Sequence, residues 1–331
     1  MRAKILVPLL LLAMSAGAGF WFTKRSGATP AVPLRIAIPS QMSAGSIYLA
    51  QQRGFFDRRG LAVTVKPFIL GKQALQAVLD DQADLAVVAD VPFMLAYNRG
   101  EPIVAVATVF ASRTTMAVLA RRDRGIASLD DLKGKRLGTV AGTNAQYFLD
   151  KLLRTRNIPA TAVNISTMNP EQFSSALARA EVDALTAWNP QLSKLEAENV
   201  GAVVRLMAPD IFVYRFILVG KKEFVRTHAE QVRHALAALA DAVADIHGRP
   251  QAAMLDIARA ITLTPEQLSR SFQAGDYVLA LDQSLLLSLE DQTRWALGRG
   301  MIGAREVPNY LDALDQRALR AVDPSAVKII Q

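Results

Sequence analysis

Residues 138–148 read GTVAGTNAQYF: a short apolar strand, then glycine, a hydroxyl and an amide, then the start of a helix. Arg136 to Val140 has strand character, and Ala145 to Arg154 carries apolar residues at helical spacing. A strand that turns through small residues straight into a helix is the βα unit of a parallel sheet. Such turns lie beyond the carboxyl ends of the strands, where open α/β sheets hold their ligands. A helix tip there offers unpaired N–H groups, so Gly142, Thr143 and Asn144 could grip an oxyanion without help from a cation. The competing reading is that Thr143 or Asn144 simply caps the helix.

The same grammar extends in both directions. Upstream, Leu34 to Pro39 alternates as a strand, Ser40 to Ser46 is a polar loop, and a helix runs from Ile47 to Arg53. Leu61 to Pro67, Asp84 to Val88 and Ile103 to Val109 are further strands, with helices opening at Gly71 and Pro92. Downstream, Ser128 to Asp131 forms a cap, Val163 to Thr167 and Asp183 to Ala187 are strands, and helices open at Asn169-Pro170-Glu171-Gln172 and at Pro190. Two α/β blocks result. Thr114 to Ala120 and Phe212 to Gly220 fit neither block and read as strands connecting two lobes. After Lys222 the pattern turns helical: Ala229 to Ile246, Gln251 to Ile261, Pro265 to Phe272 with Thr264 as cap, and Ser288 to Arg299. A chain that passes out and back implies two lobes with a cleft between them.

At 331 residues, 51% of them hydrophobic, the chain can bury a large core. Its net charge is +8, but Arg2, Lys4, Lys24 and Arg25 supply four of those charges, leaving +4 for the rest. No basic stripe of the kind a nucleic-acid groove needs is present. Without cysteine there can be no disulfide, thiolate metal site or cysteine nucleophile. Residues 1–22, MRAKILVPLLLLAMSAGAGFWF, read as an export signal with small residues for cleavage after Ala18, or as an uncleaved anchor. The body would then face the periplasm, after a linker ending at Pro33.

Four stretches carry a family resemblance: YLAQQRGFFDRRGLAVTVKPF (48–68), GKQALQAVLDDQADLAVVADVPFMLAYNRGEPIVAVA (71–107), GIASLDDLKGKRLGTVAGTNAQYFLDKLL (125–153) and ARAEVDALTAWNPQ (178–191). In order and spacing they resemble the periplasmic substrate-binding proteins of ABC importers in the nitrate, sulfonate and taurine group, whose domain is shared with the pyrimidine-precursor proteins of thiamine biosynthesis. The resemblance runs from about residue 34 to 325. It implies a type II periplasmic-binding fold, two α/β lobes joined by two crossover strands and closing over a ligand by hinge motion. Residues 1–33 would be signal or anchor plus linker, 34–112 the first part of lobe one, 113–216 lobe two, and 217–331 the return to lobe one. It also implies a small-molecule anion as ligand, an ABC permease with a separate ATPase as partner, no cofactor and a monomeric carrier.

The strand ends then supply the candidate ligand-binding residues: Ser43, Gly71, Lys72, Asp90, Gly142, Thr143, Asn144, Trp188 and Asn189. Each also has a plain structural reading. Lys72 could be a solvated lysine of the first turn, Asp90 a helix cap, and Trp188, which matches the family's Trp-x-Pro position, ordinary core. Arg113 and Arg215 stand at the proposed crossings among uncharged neighbours, VFASRTTMAVL and IFVYRFILVG. A buried guanidinium needs an anionic or carbonyl partner, either a ligand's sulfonate or carboxylate or an internal residue such as Asp210. Tyr214 is a further cleft candidate.

Nothing points to catalysis. His228 and His234 are six residues apart and so not side by side on a helix, and Asp80-Asp81 and Asp130-Asp131 are adjacent pairs whose side chains diverge. No GxSxG elbow or phosphate loop occurs. The sequence is therefore expected to encode a binding protein for a small anion, with sulfonates such as taurine ahead of nitrate. A membrane-anchored ligand sensor and a pyrimidine-precursor binding protein or synthase are the alternatives.

Overall fold

The computed structural model describes residues 31–330. The export-signal reading of residues 1–22 lies outside them. In chain order the strands are β1 (Val32–Pro39), β2 (Leu61–Phe68), β3 (Leu85–Ala89), β4 (Ile103–Ser112), β5 (Met116–Arg121) and β6 (Arg136–Thr139). They continue with β7 (Asn164–Thr167), β8 (Ala184–Trp188), β9 (Val203–Met207), β10 (Tyr214–Lys221), β11 (Tyr277–Asp282) and β12 (Val327–Lys328).

Two sheets form, one per lobe. The larger has the order β12-β11-β4-β10-β3-β1-β2 and the smaller β7-β6-β8-β5-β9. In the larger sheet β1 runs parallel to β2 and β3, while β10 is antiparallel to both β3 and β4. In the smaller sheet β6 is parallel to β7 and β8, and β5 is antiparallel to β8 and β9. The chain passes between the sheets twice, over residues 113–115 and 208–213. The two apolar stretches expected to connect the lobes lie at these passages, and their bodies are interior sheet strands, β5 and β10. Both are buried along almost their whole length, as continuous apolar runs covered on two faces must be.

Local capping signals account for several helix starts. The Ser128 N–H donates to the Asp131 carboxylate (2.7 Å), the Asn169 N–H to Gln172 Oε1 (2.8 Å), and Thr264 and Gln267 close a full reciprocal box. Three strands escape the reading above: β9, β11 and β12. YVLALD of β11 lies between helices, where helical periodicity dominates its surroundings, yet it pairs with β4 and extends the sheet. The helix expected from Ser288 begins at Gln283, because the Asp282 carboxylate accepts from the Leu285 N–H (3.1 Å) and caps it. Among the described residues no helix is long and apolar enough to cross a membrane.

Candidate binding cleft

Two helix tips face each other across the lobes. On lobe one, helix Gly71–Leu79 follows β2; on lobe two, helix Asn144–Thr155 follows β6. Gly71 permits a close approach: a Cβ there would lie 3.2 Å from the Val88 Cα and 3.4 Å from the Phe216 ring. Gly142 occupies the left-handed region, φ +66°, which lets the chain turn between β6 and its helix.

Between the tips lies a cavity of about 20 Å³, lined by Gly71, Lys72, Thr143, Asn144, Trp188 and Tyr214 of the expected set, together with Gln41, Leu70, Ala89, Pro92, Ala145 and Phe216. That volume holds about one water molecule. The lobes are therefore closed. Trp188 and Tyr214 are 3% and 5% exposed, and the Tyr214 ring meets Phe216 edge-on at 5.0 Å. Three polar atoms of this lining, Trp188 Nε1, Asn144 Oδ1 and Gln41 Oε1, are buried with no hydrogen-bond partner among the described residues. The hydroxyls of Ser43, Ser46 and Thr115, which do not line the cavity, are also without partners among the described residues. An unsatisfied buried polar group costs about 1–3 kcal/mol, so a concentration of them marks a place where something else supplies partners.

The lobe-two tip is capped in the plain structural sense. Thr143 Oγ1 accepts from the Ala145 N–H (3.2 Å) and donates to the Val140 carbonyl (2.8 Å), and the Gly142 N–H is taken up by Gln146 Oε1 (2.8 Å). Gly142 faces a separate opening of about 450 Å³ on the outer side of Lys72. The Lys72 ammonium approaches the Ala141 carbonyl at 3.5 Å and so bridges the lobes between the two cavities.

Asp90 stands behind the cleft rather than in its lining. Its carboxylate accepts from Asn144 Nδ2 across the lobes (2.6 Å), from Ser288 Oγ (3.2 Å) and from the Val91 N–H (3.1 Å). Complete burial raises its pKa above the ordinary carboxylate range, against the opposing pull of Arg215 and the donors around it. Asn189 is buried and accepts from Ser193 Oγ (3.3 Å), outside the lining. Ser43 is buried next to Met42, also outside it.

Strand parity separates Arg215 from the cleft. Tyr214 and Phe216 point to one face of β10, so Arg215 points to the other, where it joins Arg113 in a different cavity. Neither lines the gap between the helix tips. Phe216, two residues beyond Tyr214, is the lining residue that the same parity would have revealed.

The closed arrangement has its own interlobe contacts, between helix Asn144–Thr155 and helix Gln283–Gly298. Tyr147 Oη donates to Asp291, which also pairs with the Lys151 ammonium (2.7 Å). Burial opposes ionisation of Asp291, yet Lys151 and Tyr147 hold its pKa below the ordinary value. Asp150 accepts from Trp295 Nε1 (2.7 Å) and from Arg299 Nε (2.9 Å). These partners lie about 140 residues apart in sequence, where no local pattern could join them. Among the described residues no group of three or more His, Cys, Asp or Glu side chains could hold a metal ion.

Comparison with known proteins gives this geometry a family. The chain is 25% identical over 216 residues to a candidate binding protein of Brucella abortus (strain 2308), a match covering 64% of this chain and 66% of that protein. It is 26% identical over 203 residues to a candidate aliphatic sulfonates-binding protein of Bacillus subtilis (strain 168), covering 60% of each. The chain thus spans about two thirds or less of these relatives. Among solved structures, the periplasmic aliphatic sulphonate binding protein SsuA of Escherichia coli superposes with a TM-score of 0.74 at 17% identity, over 83% of this chain and 95% of that one. At that identity the likeness shows the fold alone, which is the two-lobed type II periplasmic-binding fold. A family profile described as NMT1/THI5 like matches residues 41–253, well over half of the sequence, and the chain belongs to that family.

Proposed function

We propose that this protein is the solute-binding component of an ABC importer, working on the outer side of the inner membrane. It takes a small anion into the cleft between Gly71-Lys72 and Thr143-Asn144, and delivers it to a permease driven by a separate ATPase. Sulfonates such as taurine are the favoured solutes, with nitrate behind them, and no bond is made or broken. The observation that carries this reading is the set of partnerless buried atoms around the gap. Trp188 Nε1 is a donor suited to a sulfonate oxygen, while Asn144 Oδ1 and Gln41 Oε1 are acceptors suited to an ammonium. An aminoalkyl sulfonate satisfies both kinds at once, which nitrate cannot. The names of the relatives point the same way.

Because the closed gap holds about one water molecule, solute enters only when the lobes part around residues 113–115 and 208–213. The aromatic wall of Trp188, Tyr214 and Phe216 supports a second reading, a flat pyrimidine stacked in the same cleft. Thermal-shift screening against taurine, alkanesulfonates, nitrate, carboxylates and pyrimidines separates them. A true solute at 100 times its Kd stabilises the fold by about 2.7 kcal/mol. A screen in which carboxylates or pyrimidines stabilise and every sulfonate fails would remove the sulfonate assignment.

A further inference from the structure

On the far face of β10 from the cleft lies a solvent-open cavity of about 220 Å³, at the place where both interlobe passages meet helix Gln283–Gly298. Arg113 reaches it from the first passage, Asp210 from the second, Lys151 from lobe two, Arg215 from β10, and Ser284 and Ser288 from helix Gln283–Gly298. Lys151 is committed to Asp291. The two arginines are not committed to any acid: neither forms an ion pair with a carboxylate of the described residues. Arg113 approaches only the Pro209 carbonyl (3.5 Å), and Arg215 Nη2 donates to Ser284 Oγ (2.8 Å).

Arg215 is only 9% exposed. A guanidinium that deep carries a large desolvation cost unless its charge is met, and its planar fork fits an oxyanion through two parallel hydrogen bonds. Asp90 acts on it through space, but the hydrogen bonds of that carboxylate go to Asn144, Ser288 and Val91. Asp210 and Asp291 face the same cavity, so its lining holds three cations against two carboxylates.

We propose that this cavity is a second anion site, separate from the solute cleft. It takes a sulfate-like or carboxylate oxyanion between the Arg113 and Arg215 guanidinium groups; the Ser284 and Ser288 hydroxyls donate to Asp282 and Asp90 and only line the wall. The site is assembled from both passages and both lobes, so its occupant ties the hinge in the closed arrangement. It does not depend on what the cleft carries.

The test uses the full chain without cleft solute, titrated with sodium sulfate against sodium chloride at matched ionic strength, followed by thermal shift. Sulfate should raise the Tm saturably, beyond the chloride control. Arg113→Gln should raise the half-saturating concentration about tenfold, the Arg113→Gln/Arg215→Gln double variant should abolish the effect, and Trp188→Phe should leave it unchanged. If the double variant does not fold, Arg113→Gln decides alone, since that side chain is solvent-facing and touches only a carbonyl. No saturable shift in the wild type overturns the proposal. So does an undiminished shift in Arg113→Gln, which would mean an adventitious ion only. A shift lost in Trp188→Phe would place the ion in the cleft, leaving no second site while the cleft reading stands.

Discussion

Replacing Asp150 by alanine should open the lobes. Asp150 sits on the lobe-two helix Asn144–Thr155, and its carboxylate receives the Trp295 indole N–H at 2.7 Å and the Arg299 guanidinium from the lobe-one helix Gln283–Gly298. Trp295 is 8% exposed, so truncation leaves its N–H buried without an acceptor in the closed form, whereas in the open form water can serve. A hydrogen bond to a charged group contributes about 1.5–3 kcal/mol. The Arg299 side chain is 37% exposed, and its pairing with Asp150 adds at most about 1 kcal/mol after solvent screening. Taking about 2 kcal/mol for the whole, the closed-to-open ratio should fall roughly 30-fold. The natural chain has no cysteine, so Asp57→Cys on lobe one and Lys194→Cys on lobe two can carry a dye pair without interference. Single-molecule energy transfer without solute should then show a larger population of long interlobe distances in Asp150→Ala, and a smaller gain in Arg299→Ala. Identical distance distributions in wild type and Asp150→Ala, with intact circular dichroism, would refute the reasoning that these contacts govern closure.

Three other outcomes follow from the geometry. Trp188→Phe keeps an aromatic wall and removes a donor that has no protein partner, so calorimetry with the best solute should show about tenfold weaker binding with little change in Tm; unchanged affinity would take the indole out of solute recognition. The raised pKa of Asp90 means that the folded state favours its protonated form, so this contribution to stability is complete below the ordinary value of about 3.9 and is lost as pH rises through the raised folded value. Urea unfolding between pH 4 and 7 should accordingly show Asp90→Asn gaining on the wild type as pH rises, and parallel curves would contradict this. Gly45→Ala would place a Cβ 2.7 Å from both Ile257 Cδ1 and Tyr277 Cε1, crowding the ring whose hydroxyl donates to the Met42 carbonyl, and should cost about 1–3 kcal/mol in chemical denaturation.

The sequence carries the βα rhythm of both lobes plainly, because each unit is written locally: an apolar strand, a turn of small residues, a capped helix. It also places Gly71, Lys72, Thr143, Asn144, Trp188 and Tyr214 at strand ends that the fold brings to one cavity. What it could not convey is pairing between distant segments. Arg215 and Tyr214 are neighbours in sequence, and only the docking of β10 between β3 and β4 settles which of them faces the other lobe. Likewise β11 becomes a strand by pairing with β4, more than 160 residues earlier, despite its helical neighbourhood. The Asp150–Trp295 and Lys151–Asp291 contacts between the lobes have no signature in either local stretch.

The position of β10 has a consequence for how the chain is made. Its neighbours β3 and β4 leave the ribosome about a hundred residues before it does, and all of lobe two is synthesised in between. Until β10 arrives, both neighbours present open edges, which are prone to pair with other chains. The larger lobe thus cannot complete itself early, while the smaller lobe has all five of its strands in hand. A nascent chain in this condition is kept unfinished by its own topology until β10 has been made.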